Sequence, residues 1–467
     1  MRFFILFTVF LSGCMVGADY RRPEIEAPAS WRLETAQAGE ISNVAWWEQF
    51  QDPMLSSLVE LALRNNKDLE IATANVDAAF AQYGITRAAQ WPQVDASASA
   101  SRQRLSETAG PVPPPAGRQV FKDFDASLSA SFEIDVWGRL RRASESARAS
   151  LLASEEGRRT VLMTLVSTVA SAYIQLRALD RQLDIAQRTS QSLGEAARLQ
   201  QLRFNEGAVP ESDYRQAESQ YQTAAAQVPE LERQVARQEN FISVLLGRNP
   251  GPIARGREIE ALLFPAVPDG LPASLLERRP DIRQAEQNLI AANADIGVAK
   301  AAYFPRISLT AALGFESAAL SDLSKRTSKT GAIGAGVTLP IFNAGRIRNQ
   351  VAQTEAFQRE ALSNYEKSIL VGFQEVENAL IDRTKFSQAR EVQARNVAAL
   401  QRFRDLAALR YKEGATIYLE VANAEQSLFN AQLAYVATQS QLFESYANLY
   451  KAMGGGWVAQ VEELAAK

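Results

Sequence analysis

Side chains able to do chemistry are scarce in this chain, and the shortage narrows its function. Its 467 residues include no histidine and a single cysteine, Cys14. The commonest general base and metal-ligating imidazole is therefore missing. One thiol forms neither an intramolecular disulfide nor a thiolate cluster. Five methionines are too few for a thioether relay that would pass soft metal ions. The chemistry open to Cys14 is acylation. One arginine, Arg2, precedes an apolar run from Phe3 to Leu11, then come small residues and Cys14. That run falls far below the roughly 20 residues that cross a bilayer as a helix, so residues 1–13 read as a secretory signal. Leu11-Ser12-Gly13-Cys14 has the pattern of a lipobox, whose cysteine becomes residue one of a lipoprotein and carries acyl chains, palmitate among them. Two or more chains anchor stably where one is marginal. The plainer alternative is an ordinary signal peptide with a coincidental cysteine. Met15 stands where an aspartate commonly retains lipoproteins at the inner membrane, which favours the outer one.

The remaining polar residues suggest no catalytic or metal site. Formal net charge is −3 and the pI near 5.6, so no basic face for nucleic acid is expected. Carboxylates are plentiful on helix surfaces without a paired set around a cleft. The glycine-rich stretches Gly331–Gly336 and Gly454-Gly455-Gly456 lack phosphate-loop spacing. Neither an enzyme nor a cofactor is expected.

The elements that organise these residues come in two copies. Asp68-Leu69-Glu70-Ile71-Ala72 opens a helical stretch that ends at Trp91-Pro92, and Asp281-Ile282-Arg283-Gln284-Ala285 opens another that ends at Phe304-Pro305. Gly138-Arg139-Leu140-Arg141 is echoed by Gly345-Arg346-Ile347-Arg348, and Arg203-Phe204-Asn205-Glu206-Gly207 by Arg410-Tyr411-Lys412-Glu413-Gly414. The last two landmarks lie 69 residues apart in both halves, which marks an internal duplication. Each half reads helix, two strands, very long helix, tight turn, helix. No proline falls between Pro115 and Pro210 or after Pro340, which permits a helix of about 65 residues, roughly 100 Å, in each half. Leu162, Leu165, Val169, Ala172, Leu176, Leu179, Leu183 and Ala186 form a coiled-coil stripe. The second half is less regular, with Arg383 and Arg390 near the matching stripe. Gly207 and Gly414 supply left-handed caps, and Pro210 is expected in the first turn of the next helix. The hairpin tips then fall at 207–213 and 414–420.

Four alternating stretches read as strands of about 9–11 residues: 93–101, 124–135, 307–316 and 332–341. A soluble sandwich is one reading. A tilted membrane strand has the same length. Four strands cannot close a barrel around a lumen, and an open edge in lipid leaves backbone groups unsatisfied at several kcal/mol each. Two, three or four copies would supply eight, twelve or sixteen strands. Segments 102–122 and 317–329 would then be outer loops. Arg139, Arg141, Arg142, Arg346 and Arg348 open the long helices, where cations are unfavourable; they face lipid headgroups or the Asp135 neighbourhood at the membrane edge, or simply water.

Over nearly its whole length the chain resembles the TolC-like outer membrane factors, particularly their lipoprotein (NodT-like, OprM-like) branch. The residues that carry the resemblance are Trp46-Trp47 with Phe50 and Asp52-Pro53, then Glu277-Arg278-Arg279-Pro280-Asp281-Ile282-Arg283-Gln284-Ala285-Glu286. Ala291-Ala292-Asn293-Ala294, Ile296-Gly297-Val298-Ala299, Phe304-Pro305 and Leu449 through Trp457 complete the set. The resemblance implies an α+β, mainly helical fold: a long periplasmic coiled-coil helical barrel plus four transmembrane strands per chain, joined in a homotrimeric twelve-strand barrel. It implies a cell outer-membrane location with a large periplasmic portion, contact with outer-membrane lipids, and docking to a periplasmic membrane-fusion adaptor and an inner-membrane transporter of the RND, ABC or MFS type. The expected function is the exit duct of a tripartite efflux pump for drugs or other toxic compounds. Alternatives are a type I protein-secretion duct or a soluble coiled-coil periplasmic adaptor. By resemblance, the periplasmic gate involves Leu419, Glu420, Asn423 and Gln426. Many relatives carry aspartate at the position of Asn423 and arginine at that of Gln426, so strong cation selectivity there is not expected; a packed or solvated tip is the plainer role. Adaptor contact is placed at Arg203, Phe204, Gly207, Arg410, Tyr411 and Gly414, where helix capping alone is the alternative. The implied organisation is a signal peptide at 1–13, a lipid-anchored extended and equatorial segment at 14–60, a first repeat at 61–250, a linker at 251–278, a second repeat at 279–453 and an equatorial tail at 454–467.

Overall fold

A computed structural model describes residues 15–25, 28, 30–32, 45–104, 106, 120–266, 275–454, 457–458 and 462. Cys14, and with it the lipidation site, lies outside the described residues. After a 3-10 turn at Trp46–Phe50 come α1 (Pro53–Asn65), α2 (Lys67–Ala88), β1 (Gln93–Arg104), β2 (Val120–Ile134), α3 (Arg139–Asn205) and α4 (Glu211–Leu245). The second half follows as α5 (Leu275–Arg278), α6 (Pro280–Ala301), β3 (Arg306–Ser317), β4 (Lys329–Thr338), α7 (Arg346–Lys412) and α8 (Tyr418–Ala452).

The duplication is visible element by element. α2 and α6 have 22 residues each, α3 and α7 have 67, and α4 and α8 have 35. It extends to single hydrogen bonds at the helix ends. Asn66, just before α2, donates its side-chain amide to the Leu245 carbonyl at the end of α4 (2.9 Å). Arg279, just before α6, donates to the Ala452 carbonyl at the end of α8 (3.0 Å). Each repeat thus satisfies a terminal carbonyl of its last helix with the residue that opens its first. The second repeat uses a cation for this. Arg279 is 1% exposed, and a buried charge requires partners. Asp281 takes it in a bidentate pair (3.0 and 2.6 Å), and Glu375 of α7 adds a third bond at 2.6 Å.

Chain contacts separate two compact units, each combining parts of both repeats. One comprises the described parts of Met1–Glu24, Asn75–Ser154 and Ala285–Tyr365; the other comprises those of Ile25–Ala74, Glu155–Gln284 and Glu366–Lys467. The second unit holds the core. There the α3 stripe buries Leu162, Leu165, Val169, Ala172, Leu176, Leu179 and Ala186, with Leu183 packed on them. Trp46 stacks on Tyr450 (5.3 Å) and meets Trp47, Phe50 and Trp457 edge-on. Each such aromatic pair contributes about 0.5–1.5 kcal/mol beyond its buried area. The irregular α7 stripe has a specific partner: the Arg390 guanidinium lies 5.1 Å over the ring of Phe264.

The first unit holds the sheet, antiparallel throughout in the order β1-β2-β3-β4. The strands run to 12, 15, 12 and 10 residues, longer than expected for three of the four. β1 and β2 therefore reach into the segment expected as a loop at 102–122. β4 ends at Thr338 and not at Ile341, because Pro340 has no N–H for a ladder. Among the described residues no second layer covers the sheet within its unit: Val94, Leu128, Leu313, Ile333 and Val337 are all exposed, Ile333 at 91%. A soluble sandwich buries one face of each sheet, so that alternative fails. In the same unit α6 buries Leu289, Ala291, Ala294, Ala299 and Ala301, whereas its counterpart α2 leaves Phe80 and Ile85 both 66% exposed.

Candidate functional site

The strands enter the helices through a tightly built junction. Asp135, directly after β2, accepts from the backbone N–H groups of Leu140 (3.1 Å) and Arg141 (2.9 Å), capping α3. Its charge also draws the Arg141 side chain, at 3.4 Å, and Glu133 takes Arg139 in a bidentate pair of 2.9 and 2.8 Å. The cations that open α3 are thereby neutralised locally, as the expected Asp135 neighbourhood required. Trp137 stacks on Phe304 (4.6 Å) and donates its indole N–H to the Pro305 carbonyl (2.9 Å). An amphipathic aromatic pair at a strand end suits a membrane–water interface.

The residues after Cys14 are fastened to this junction. Val16 donates to the Trp137 carbonyl (3.0 Å). Arg142, only 2% exposed, donates to the carbonyls of Val16 and Gly17 and to the carboxylates of Asp19 and Glu145, both at 2.7 Å. Gly17, with φ of +97°, lies against Gly297; a Cβ on Gly17 would sit 2.8 Å from the Gly297 Cα. That close approach requires glycine. Arg22 then grips Glu286 at 2.8 and 2.6 Å, and Tyr20 donates to the same carboxylate. Burial beside Glu286 pushes the Tyr20 phenol well above its ordinary range.

The hairpin tips are two copies of one cap. Gly207 and Gly414 adopt φ of +69° and +72°. Ala208 donates to the Arg203 carbonyl and Ala415 to that of Arg410, both at 2.8 Å, while Gly207 and Gly414 donate to Phe204 and Tyr411. This is the Schellman arrangement. Pro210 sits at the N-cap of α4, extended with ψ of 156°, and Glu211 is the first helical residue; the expected first-turn placement is off by one. Its ring still fixes the chain direction into α4.

Side chains at the tips knit the two hairpins together. Gln200 of α3 donates to the Tyr411 hydroxyl (2.9 Å), Arg203 reaches the same oxygen (3.3 Å), and its guanidinium lies 5.8 Å over the Tyr411 ring. Tyr411 meets Tyr418 edge-on at 5.5 Å, and burial pushes the Tyr418 phenol up to about 12. Phe204 stacks on Tyr214 across its own turn. Of the expected gate set, Leu419 and Asn423 share an exposed face one turn apart, Leu419 at 45%. Glu420 turns back to accept from Arg410 (2.7 Å) and from the Thr416 hydroxyl. Gln426 donates to Asn430 (3.0 Å). Sequence reasoning missed Gln200, Thr416 and the Arg404–Glu425 pair (3.5 Å). An arginine and a glutamate on facing helices, without a recurrent spacing, give no sequence signal. Burial raises the Glu425 carboxyl, against the lowering pull of Arg404.

No group of acidic, cysteine or histidine side chains among the described residues is arranged to hold a metal. A hollow of about 570 Å³ is an open groove between α3 and α4 around Gln191, Gly194 and Tyr221, with no convergent set of reactive groups. α3 contains a stretch apolar enough to cross a membrane, but most of it is buried in the core.

Comparison with known proteins gives a consistent result. The sequence profile described as "Outer membrane efflux protein" matches residues 58–248 and 271–455. The toluene efflux pump outer membrane protein TtgI of Pseudomonas putida is 35% identical over 457 residues, covering 96% of this chain and 97% of that one. The pyoverdine export outer membrane protein OpmQ of Pseudomonas aeruginosa is 35% identical over 447 residues, covering 95% and 94%. Among solved structures, the outer-membrane channel OprN superposes with a TM-score of 0.86 at 30% identity over 95% of this chain and 100% of that one. The open state of the Neisseria gonorrhoeae MtrE channel gives 0.85 at 30% identity, covering 95% and 99%.

Proposed function

Because the chain belongs to the outer membrane efflux protein family, we propose that it forms the outer-membrane channel of a tripartite pump, giving small toxic molecules a passive exit across periplasm and outer membrane. The observation that carries this reading is the four-stranded sheet with one apolar face, two unpaired edges, β1 and β4, and no covering layer in its unit. In lipid both edges require partners. Three copies, pairing β1 of one with β4 of the next, close twelve strands into a barrel. The bare α2, against its packed counterpart α6, supports the same copy-to-copy arrangement. As a homotrimer the protein is a conduit and not an enzyme.

In this reading Cys14 carries the acyl chains, and the strap at 15–22 holds them beside the strand–helix junction. The tips around Gly207 and Gly414 meet a periplasmic membrane-fusion adaptor, which couples the duct to an inner-membrane transporter. Leu419 and Asn423 form the constriction, with Glu420 and Gln426 supporting it. The division at 1–13, 14–60, 61–250, 251–278, 279–453 and 454–467 follows the duplication, the equatorial parts being the segments outside the two repeats. Relatives named for toluene and pyoverdine support small-molecule cargo. The test is complementation: in a strain lacking its own efflux duct, the chain should restore dye and solvent efflux and appear as a heat-resistant trimer in outer-membrane fractions. A soluble periplasmic monomer would overturn the proposal.

A further inference from the structure

The register sorts the charged residues of the strands by face. Leu128 pairs with Leu313 and Leu313 with Gly331, so the apolar face takes the even-numbered residues of β1 and β2 and the odd-numbered residues of β3 and β4. The opposite face carries Asp95, Asp123, Asp125, Glu133 and Glu316, with Arg306. The apolar face carries no carboxylate in any of the four strands. It carries four bases: Arg102 and Arg104 on β1, Lys122 on β2 and Lys329 on β4, all exposed. All four lie toward the strand ends remote from the helices. At the other end, Arg139 and Arg141 are held by Glu133 and Asp135.

Two further observations set this patch apart from scattered surface charge. Arg102 and Lys122 are direct cross-strand partners, and like charges placed opposite each other are destabilising unless an anion lies between them. Their height is also specific. Along β2, the path from Ile134 to Lys122 at about 3.4 Å per residue and a tilt near 40° rises about 30 Å. That is one hydrocarbon thickness above the Trp137–Phe304 pair, which places Arg102 and Lys122 in the opposite headgroup layer; Lys329, in register with Phe315 and through it with Ala126, starts about 10 Å lower and reaches that layer along its own side chain. Within the hydrocarbon such residues would cost about 2–4 kcal/mol each.

We propose that Arg102, Lys122 and Lys329 form an outward-facing collar that binds the phosphate groups of the phosphorylated glycolipid (lipopolysaccharide) in the outer leaflet. The proposal rests on the barrel reading above. Arginine forks and lysine ammonium groups make charge-assisted bonds to phosphate oxygens, and three copies would surround the barrel with nine such side chains. The lipid relieves the Arg102–Lys122 repulsion, and the collar fixes the barrel's depth and the seal around it.

The test is a binding titration of the purified, detergent-solubilised trimer with rough-type lipopolysaccharide, its dephosphorylated form and phosphatidylglycerol. Wild type should bind the phosphorylated glycolipid best. Dephosphorylation, or the triple variant Arg102→Gln, Lys122→Gln, Lys329→Gln, should weaken binding roughly a hundredfold, about fivefold per charge. Arg306→Gln, on the other face, should change nothing. Unweakened binding by the triple variant, or equal affinity for phosphatidylglycerol, overturns the proposal while leaving the barrel intact. Recovery of wild-type chain outside the outer-membrane fraction overturns the barrel reading, and the collar with it.

Discussion

Replacing Asp52 by alanine should loosen the linker that crosses the core while leaving the sheet untouched. The Asp52 carboxylate is 1% exposed and accepts from the Tyr173 hydroxyl (2.8 Å), the Met54 N–H (2.9 Å) and the Arg257 N–H (3.0 Å). It is also the N-cap of α1, and the Tyr173 hydroxyl accepts in turn from Gly256 (2.9 Å). Losing the cap costs about 1 kcal/mol. Each donor left buried without a partner costs about 1–3 kcal/mol. Only the Tyr173 bond is fully buried, the Arg257 one being partly exposed; at the low end of about 1 kcal/mol for each of these two donors, the total with the cap is about 3 kcal/mol. At about 1.4 kcal/mol per tenfold, local opening of the segment around Arg255 and Arg257 rises roughly a hundredfold. Both are trypsin sites, and cleavage through a fast pre-equilibrium follows the open population. Trypsin should therefore nick Asp52→Ala after Arg255 or Arg257 about a hundred times faster than wild type, with trimer content unchanged. A change of threefold or less would show that Asp52 does not hold the linker.

Three further outcomes are expected. Leu419→Ala should raise single-channel conductance in planar bilayers, and unchanged conductance would remove Leu419 from the constriction. Gly207→Val and Gly414→Val meet nothing within 4 Å of the new Cβ, so their cost is the left-handed backbone alone, about 1–2 kcal/mol; trimers should persist while adaptor-dependent resistance is lost, and loss of trimer would instead reveal a folding role. Burial raises the Glu425 carboxyl above its ordinary value, so the native hairpin binds more protons than the unfolded chain between the two values. Its stability should then fall as pH rises through that window, measured as tip amide exchange; Glu425→Gln should flatten the slope, and an unchanged slope would exclude Glu425.

The periodic features were legible in the sequence. The repeated landmarks foretold equal helix lengths, and the stripe from Leu162 to Ala186 is the one the core buries. The alternation of β2 and β3 placed both faces correctly. What escaped were contacts that depend on three-dimensional return of the chain. Arg142 reads as a helix-opening cation, but it is the buried clasp of the strap, because Gly17 and Asp19 come back across 125 and 123 positions to supply acceptors. Arg279 carries a recognisable motif, yet its likeness to Asn66 is invisible, since a cation and an amide do the same capping task. Pro229 lies inside α4, whose hydrogen-bond ladder continues around it; helix breakers are weak boundary signals where packing on a long neighbour holds both sides. Arg390 breaks an apolar pattern only until the ring of Phe264 is placed beneath it.

The unpaired edges are the most direct point of attack. Cys14 is the one native thiol of the sequence, so with the wild-type chain as the control, pairs of cysteines can be scanned along β1 (96, 98, 100) and β4 (331, 333, 335) of one chain and oxidised in intact cells. Closure of the sheet by identical copies predicts that some pairs yield a covalent species three chains in size, with neighbouring pairs following one register. Only single-chain species at every pair, in cells where the protein is folded and in the outer membrane, would contradict it.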